Sequence, residues 1–290
     1  ALCKAGHEIV AVVTQPDKPK GRSDKLFFSP VKEYAVKAGI PVLQPVRIKR
    51  PESVAELKNY PADVFVVAAF GQILSKEILD MPKYGCLNIH ASLLPKYRGS
   101  SPIQWAVING EEKSGVTIQQ MNEGVDTGDI LYQKEMVLDA KETGETLFDK
   151  LAVLGAEAIV ETLSLLEQGK LVPVPQDEAL ATHTVMLDKA MGRMDFSKSA
   201  AELERLVRGL NSWPSAYTFF EGKQLKVWEA DVVEDGNTDG ADGEGGKDSF
   251  DVKCAQGSLR IRSLQLEGKK RMSTHDFLLG NAVKKGMHLG

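Results

Sequence analysis

Apolar residues in the first 121 positions fall into short continuous runs separated by segments with helical spacing. Residues 9–13, 64–69 and 86–89 are nearly all Val, Ile, Ala, Leu, Phe or Cys, whereas residues 30–38 have helical spacing. Strands covered by helices on both faces of a parallel sheet have this near-continuous apolar character. The pattern predicts an α/β fold, a Rossmann-like and mostly parallel sheet with helices on both faces. Its active site is expected at the carboxyl ends of the strands.

The predicted sheet is followed by two further strands and a long helix. Residues 115–121 and 129–137 have strand character, and residues 143–169 have helical spacing that ends at Gly169. Prolines two positions apart, at 173 and 175, favour extended backbone and indicate a linker. The predicted boundaries are a first domain at 1–173, a linker at 174–189 and a second domain at 190–290.

The last hundred residues show short strand patterns between glycine-bearing turns. A helix is predicted at 200–210, and another is predicted to begin at Ser273. These patterns predict a small C-terminal β-barrel of the oligonucleotide-binding kind. Residues 231–251, rich in Asp, Glu and Gly, indicate either a solvated hairpin loop or a disordered insert. The predicted strands are 216–220, 225–232, 250–254 and 259–266.

Charge and cysteine content narrow the class of protein. The chain has 290 residues, 42% of them hydrophobic, and a net charge of −4. It is therefore neither disordered nor fibrous, and no overall basic field indicates nucleic acid. Residues 190–290 outside the acidic segment nevertheless hold 14 Lys and Arg against 7 Asp and Glu. The three cysteines are too far apart for a disulfide framework or a thiolate zinc site, which favours a reducing cytoplasm, and no apolar run is long enough to span a membrane.

Candidate chemistry lies at the end of the run at 86–89. Asn88 and His90 are two positions apart, so both side chains leave the strand on one face. An irregular segment follows until Pro102 begins a helix, with Ser101 as its predicted cap. A glycine-rich turn presents Asp126 and Asp129. From the residues alone two interpretations remain open: a catalytic Asn/His/Asp group, or capped turns beside a buried histidine.

The residue strings around these positions carry a resemblance. Residues 87–99, 115–117 and 125–129 resemble the signature of formyltransferases that use 10-formyltetrahydrofolate. Four further segments resemble the methionyl-tRNA formyltransferases within that superfamily, and the resemblance runs over essentially the whole chain. These segments are residues 14–22, 29–32, 211–214 and 226–228.

The resemblance implies roles for matched positions. It implies that Asn88, His90 and Asp126 form the catalytic group and that no metal is required. Amide and imidazole N–H groups suit this reaction because negative charge develops on the formyl oxygen when an amine attacks. Whether His90 or Asp126 moves the proton is left open. The implied formyl-folate site comprises Ser92, Leu93, Leu94 and Pro95, and the loop Phe70, Gly71, Gln72, Ile73 and Leu74 is expected to hold the pterin by its backbone.

The resemblance also implies an aminoacylated initiator tRNA as partner. Lys18, Lys20, Arg22 and Lys25 are expected to contact its acceptor end. The alternative interpretation is an ordinary solvated loop. A monomer is expected. In the second domain the predicted phosphate contacts are Arg260, Arg262, Lys269 and Lys270.

Three rival functions and one departure accompany the resemblance. A sugar-nucleotide N-formyltransferase is the nearest alternative. A glycinamide ribonucleotide formyltransferase would leave residues 190–290 without a role. An RNA-binding module that has lost activity would have a disrupted Asn88, His90 and Asp126 group, whereas all three residues are present. The family begins with a strand, a glycine turn and a helix before the position of Ala1, so an incomplete chain is expected.

Overall fold

The structure is a computed structural model that describes residues 1–19, 26–233, 249–283 and 287–289. The predicted contacts Lys20, Arg22 and Lys25, and most of the acidic segment, lie outside these residues. The helices are α1 (Pro30–Lys37), α2 (Pro51–Leu57), α3 (Lys76–Leu79), α4 (Pro102–Ile108), α5 (Gly144–Glu167), α6 (Ala200–Gly209) and α7 (Thr274–Gly280). The strands are β1 (Val12–Val13), β2 (Lys18–Pro19), β3 (Leu26–Phe27), β4 (Val42–Leu43), β5 (Phe65–Val67), β6 (Cys86–His90), β7 (Arg98–Gly99), β8 (Lys113–Gln120), β9 (Ile130–Val137), β10 (His183–Thr184), β11 (Ala216–Phe220), β12 (Lys223–Val233), β13 (Phe250–Lys253), β14 (Ser258–Leu266) and β15 (Met272–Ser273).

The chain divides into two compact units. The first contains residues 1–98, 115–135 and 151–182, and the second contains residues 99–114, 136–150 and 183–290. The predicted linker is thus shared, with residues 174–182 in the first unit and the rest in the second.

The first unit contains the predicted α/β fold, which is confirmed. Strands β5 and β6 pair in parallel, as do β1 and β4. Strand β6 then pairs antiparallel with β8, and β9 follows β8 in the sheet. The buried positions of β6, Cys86 and Leu87, are the ones that the apolar run predicts. The sheet therefore includes a strand, β8, that runs opposite to β6, and the sequence pattern predicts this strand without giving its direction.

Helix α5 packs against the strand that carries the candidate residues. A Cβ added at Gly155 would lie 2.8 Å from Ile89 Cγ2, so a larger side chain there would push helix and strand apart. A second apolar cluster, which includes Val54, Ile78 and Cys86, holds α2 and α3 near the start of β6. Strand β6 is thereby packed against α5 at Ile89 and against the cluster of α2 and α3 at Cys86.

The second unit contains the predicted β-rich domain as a curled antiparallel sheet in the order β11, β12, β14, β13, with β15 paired to β14. Helix α6 begins with a capping box between Ser199 and Glu202. Phe220, Phe250 and Phe277 pack in the core with ring centroids 5.3 to 6.3 Å apart. The alternating buried and exposed positions along these strands explain why the sequence pattern is readable here.

One local prediction is wrong. Helix α4 does begin at Pro102, but the Ser101 side chain makes no capping hydrogen bond. Ser101 has φ 62°, in the left-handed region, whereas a capping serine has extended backbone. The fixed φ of proline at the first helical position is sufficient to begin this helix.

Candidate active site

Strand β6 places Asn88 and His90 on one face near its carboxyl end. Asn88 lies opposite Gln119 and His90 opposite Thr117 in the pairing of β6 with β8. His90 is only 6% exposed and Asn88 is half-buried. Both side chains are therefore held by a strand in the interior of the sheet, which fixes them more closely than a loop would.

Asp126 comes to the same place from the turn between β8 and β9. Its Oδ1 accepts hydrogen bonds from Gln119 Nε2 at 2.7 Å and Asn88 Nδ2 at 3.4 Å. His90 Nδ1 lies 3.5 Å from the same oxygen. The structure thus brings Asn88, His90 and Asp126 together.

The turn that carries Asp126 depends on its backbone. Asp126 has φ 54°, which aspartate tolerates better than most residues. A Cβ added at Gly128 would lie 1.6 Å from the carbonyl oxygen of Gln120, so no other residue fits there without moving the chain. Asp129 stays outside this group as a neighbour of the sheet, where its carbonyl oxygen accepts a hydrogen bond from the backbone N–H of Gln120.

The other nitrogen of His90 is committed to the backbone. His90 Nε2 lies 2.9 Å from the carbonyl oxygen of Tyr97. Because a carbonyl only accepts, Nε2 carries a hydrogen and donates it to Tyr97. Nδ1 is therefore the nitrogen that faces Asp126. When Nδ1 is also protonated, the ring is an imidazolium paired with the carboxylate.

The segment from Ser92 to Pro95 is held by buried polar side chains. Thr117 Oγ1 donates to the carbonyl oxygen of Ser92 at 2.7 Å and accepts from the Leu94 backbone N–H at 3.0 Å. Gln133 Nε2 donates to the carbonyl oxygen of Leu94 at 2.8 Å. Leu94 is buried, and the Leu94–Pro95 peptide bond is cis. The backbone of this segment is thus fixed mainly by β8 and β9.

The loop from Phe70 to Leu74 has one strongly exposed residue and several fixed ones. The carbonyl oxygen of Phe70 accepts from Gln15 Nε2 at 2.6 Å. The Gln72 side chain binds the backbone of a neighbouring segment: it accepts a hydrogen bond from Ile48 N and donates one to the carbonyl oxygen of Pro45. Leu74 belongs to the core, Gly71 has φ 73°, and Ile73 is 70% exposed. Among these residues Ile73 is the one that presents a large apolar surface.

The predicted basic residues of the second unit differ in their surroundings. Arg260 makes two hydrogen bonds to Asp251, at 2.8 and 2.7 Å. Arg262 Nε donates to Asp231 at 2.8 Å. Hydrogen bonds from Arg262 and Lys141 hold the pKa of the Asp231 carboxyl below its usual value. Lys269 and Lys270 are exposed, and Lys18 lies in β2. The two arginines are thus charge-balanced within the sheet, whereas Lys269 and Lys270 lie on the surface.

Sequence reasoning missed several residues that hold the candidate group. Gln119, only 2% exposed, donates to Asp126, while its own Oε1 is buried and has no hydrogen-bond partner. Thr117 and Gln133 hold the Ser92–Pro95 segment, and the Tyr97 carbonyl orients His90. A usable signal existed only for Gln119, which lies two positions from Thr117 on the same strand face.

Within the described ranges, His, Cys, Asp and Glu side chains form no group of three or more that would hold a metal ion. None of the helices in the described part of the chain has both the length and the apolar character needed to cross a membrane.

Family models match both parts of the chain. The formyl transferase model matches residues 1–163, and the formyl transferase C-terminal domain model matches residues 186–282. The first match alone covers more than half of the chain and includes the whole candidate group. The chain is therefore a formyl transferase by class.

Curated relatives narrow the family. The chain is 56% identical over 299 residues to the methionyl-tRNA formyltransferase of Lachnospira eligens, with 100% of this chain and 94% of the relative covered. It is 52% identical over 289 residues to that of Agathobacter rectalis, with 99% and 93% covered. The chain belongs to the methionyl-tRNA formyltransferase family.

Solved structures of lower identity share the fold. An N-formyltransferase from Helicobacter canadensis, in complex with folinic acid and dTDP-3-aminofucose, matches with a TM-score of 0.67 at 18% identity. That match covers 90% of this chain and 92% of the other. HypX from Aquifex aeolicus in complex with tetrahydrofolic acid matches with a TM-score of 0.61 at 17% identity, covering 88% of this chain and 48% of that one. At these identities the likeness concerns the fold alone.

Proposed function

We propose that this protein transfers the formyl group of 10-formyltetrahydrofolate to the α-amino group of methionine esterified to initiator tRNA. The observation that carries the proposal is the approach of Asn88 and His90 to one carboxylate oxygen of Asp126, in a chain whose relatives are methionyl-tRNA formyltransferases. The folate supplies the formyl group, and the tRNA-linked amine accepts it.

The donor set fits a reaction in which negative charge develops on a carbonyl oxygen. Asn88 carries an amide N–H, and His90 turns Nδ1 toward Asp126 because Nε2 is held by the Tyr97 carbonyl. Donors fixed before the reaction stabilise such charge without reorganising. Asn88 and His90 are therefore proposed as the groups that stabilise the formyl oxygen during attack.

Asp126 places a carboxylate beside the other two groups. Its Oδ1 lies 3.5 Å from His90 Nδ1. As the amine bonds to the formyl carbon, the bond between that carbon and the folate nitrogen breaks. The proton that the amine loses must reach this departing nitrogen, and Asp126 and His90 are the groups assigned to its transfer. The folate-binding site is assigned to Ser92–Pro95 together with the Phe70–Leu74 loop.

The partner contacts are proposed from charge. Lys18, Lys20, Arg22 and Lys25 are assigned to the acceptor end of the tRNA, and Lys269 and Lys270 to its phosphates. Arg260 and Arg262 are also assigned to the phosphates. To bind them, these arginines must divide their hydrogen bonds between the phosphates and their present partners, Asp251 and Asp231. Binding through phosphates weakens as salt rises. A monomer in the cytoplasm is proposed, with residues 1–173 as the catalytic domain, 174–189 as linker and 190–290 as the tRNA-binding domain.

The proposal is tested by formyl transfer from 10-formyltetrahydrofolate to charged initiator tRNA or to an amino-sugar nucleotide. We expect product only with the tRNA. Transfer only to the sugar nucleotide would replace the proposed function by a sugar-nucleotide N-formyltransferase.

Asn88→Ala tests the role of the amide. Removing one such donor lowers kcat by about 10²–10³-fold, with little change in folate binding. The matched control is Asn59→Ala, since Asn59 is exposed and remote from the group in sequence. An unchanged kcat in Asn88→Ala would show that the amide does not stabilise the reacting oxygen.

A further inference from the structure

The segment after α5, which the sequence predicts as a linker, lies against the turn that carries Asp126. Its backbone pairs with the start of β9 through two hydrogen bonds between Val174 and Ile130, at 2.8 and 2.9 Å. Farther along, the carbonyl oxygen of Thr182 accepts from Arg98 N at 2.8 Å. The segment is therefore fixed at both ends within the first unit.

Gln176 is the residue of this segment that turns inward. It is half-buried, whereas the residues from 172 to 175 and from 177 to 180 are exposed. Its Nε2 donates to the carbonyl oxygens of Asp126 at 2.9 Å and Gly128 at 2.7 Å. Its Oε1 accepts from Arg98 Nε at 2.9 Å. Since carbonyls accept and a guanidinium donates, this orientation of the amide is the one that satisfies all three partners.

These contacts connect Gln176 to the surroundings of both Asp126 and His90. On one side it holds the backbone of Asp126, a residue with left-handed φ that needs fixed surroundings. On the other side it holds Arg98, the neighbour of Tyr97, whose carbonyl binds His90 Nε2. The Arg98 side chain is nearly fully buried and is also held by Glu178, at 2.9 and 2.7 Å.

We propose that Gln176 is a positioning residue that sets the orientation of the Asp126 carboxylate relative to His90 by binding the backbone of the Asp126 turn. The proposal rests on the proposed function, because it concerns the same reaction. Gln176 touches neither reacting group through its own side-chain chemistry. Its effect is exerted through Asp126, and the segment that contains it belongs to the catalytic apparatus.

The first test uses Gln176→Ala and Gln176→Glu. The glutamate keeps the shape and a partner for Arg98 but has no N–H for the two carbonyl oxygens. Small misplacement of a reacting group costs about tenfold to a hundredfold in rate, so we expect both variants to lower kcat by that factor with KM for the formyl donor changed by less than about twofold. The matched control is Gln168→Ala, an exposed glutamine at the end of α5 whose side chain binds Ser164. We expect wild-type kcat for this control.

A double-mutant cycle separates positioning from general support of the fold. In an Asp126→Asn background, Gln176→Ala is expected to lower the remaining rate by less than about twofold, since a carboxylate that is absent cannot be misplaced. The proposal would be overturned if Gln176→Ala lowered kcat by the same factor in the Asp126→Asn background as in the wild type. Wild-type kcat in both Gln176 variants would also overturn it. Thermal unfolding of each variant shows whether it is folded. If Gln176→Ala does not fold, the kcat of Gln176→Glu, alone and in the Asp126→Asn background, tests the proposal instead. A wild-type chain that transfers no formyl group would instead contradict the proposed function.

Discussion

At the scale of single residues, the candidate site is organised around one atom. Asp126 Oδ1 is approached by Gln119, Asn88 and His90. The two-residue spacing of Asn88 and His90 allows their common face to be predicted from the sequence. The partners of each nitrogen could not be predicted, because they depend on a carbonyl at position 97 and an amide at position 119 that no local pattern marks.

Gln119→Leu is expected to separate activity from stability. The substitution removes the donor at 2.7 Å from Asp126 and also removes a buried Oε1 that has no hydrogen-bond partner. Because the loss and the gain offset each other, the free energy of unfolding should change by less than ~1 kcal/mol. The value of kcat should fall about tenfold as Asp126 loses its best-placed donor. Urea unfolding and formyl transfer measure the two quantities, and a large loss of stability with unchanged kcat would contradict this expectation.

Asp17 provides a pH-dependent contribution to stability. Hydrogen bonds from Lys32 and Gln44 hold its carboxyl pKa below the usual 3.8. A lowered folded-state pKa stabilises the fold above the ordinary value, and this contribution is lost as pH falls through the lowered pKa. Asp17→Asn should therefore show a shallower loss of stability than the wild type below about pH 4. Urea unfolding across this range checks it, and identical slopes would show that the Lys32 pair adds nothing.

At the scale of elements, the strands and helices follow the hydrophobic pattern closely. Strand β11 has the predicted bounds, and α1, α5 and α6 lie within two residues of theirs. The antiparallel direction of β8 could not be predicted from its apolar character, since a buried strand has the same composition in either direction. The prediction that the Ser101 side chain caps α4 was wrong, because residue type alone does not fix the backbone angle φ.

Gly128→Ala tests the turn between β8 and β9. The added Cβ would meet the Gln120 carbonyl at 1.6 Å, so the turn must shift and Asp126 with it. We expect stability to fall by about 2 kcal/mol or more and formyl transfer to be lost. Gly280→Ala is the control, because a Cβ at the end of α7 meets nothing within 4 Å. Equal stability of the two variants would show that the turn adjusts freely.

At the scale of the whole molecule, the sequence pattern predicts an α/β region followed by a β-rich region, and both are present. It does not indicate that residues 99–114 and 136–150 group with the second region, because periodicity reports which face is apolar and not which partner covers it. The same reasoning explains why the post-helical segment was predicted only as extended chain. Its contacts with Asp126 come from one half-buried glutamine.

The three cysteines should report the integrity of both units. Burial raises the pKa of Cys86 to about 12 and that of Cys254 to about 11, whereas Cys3 is exposed. Because the thiolate is the reactive form, we expect a thiol reagent at neutral pH to label one cysteine in the native chain and three in denaturant. Mass spectrometry of labelled peptides identifies the sites. Rapid native labelling of Cys86 or Cys254 would show that the corresponding unit opens.

The bond between His90 Nε2 and the Tyr97 carbonyl has a consequence for proton traffic. A histidine that relays a proton receives it on one ring nitrogen and releases it from the other. In this protein a proton that reaches Nδ1 cannot be passed on from Nε2, because the hydrogen on Nε2 is held in the hydrogen bond to the Tyr97 carbonyl. His90 must therefore return each proton through the nitrogen that received it. Every proton that His90 accepts or donates is therefore exchanged on the side of the ring where Asp126 lies.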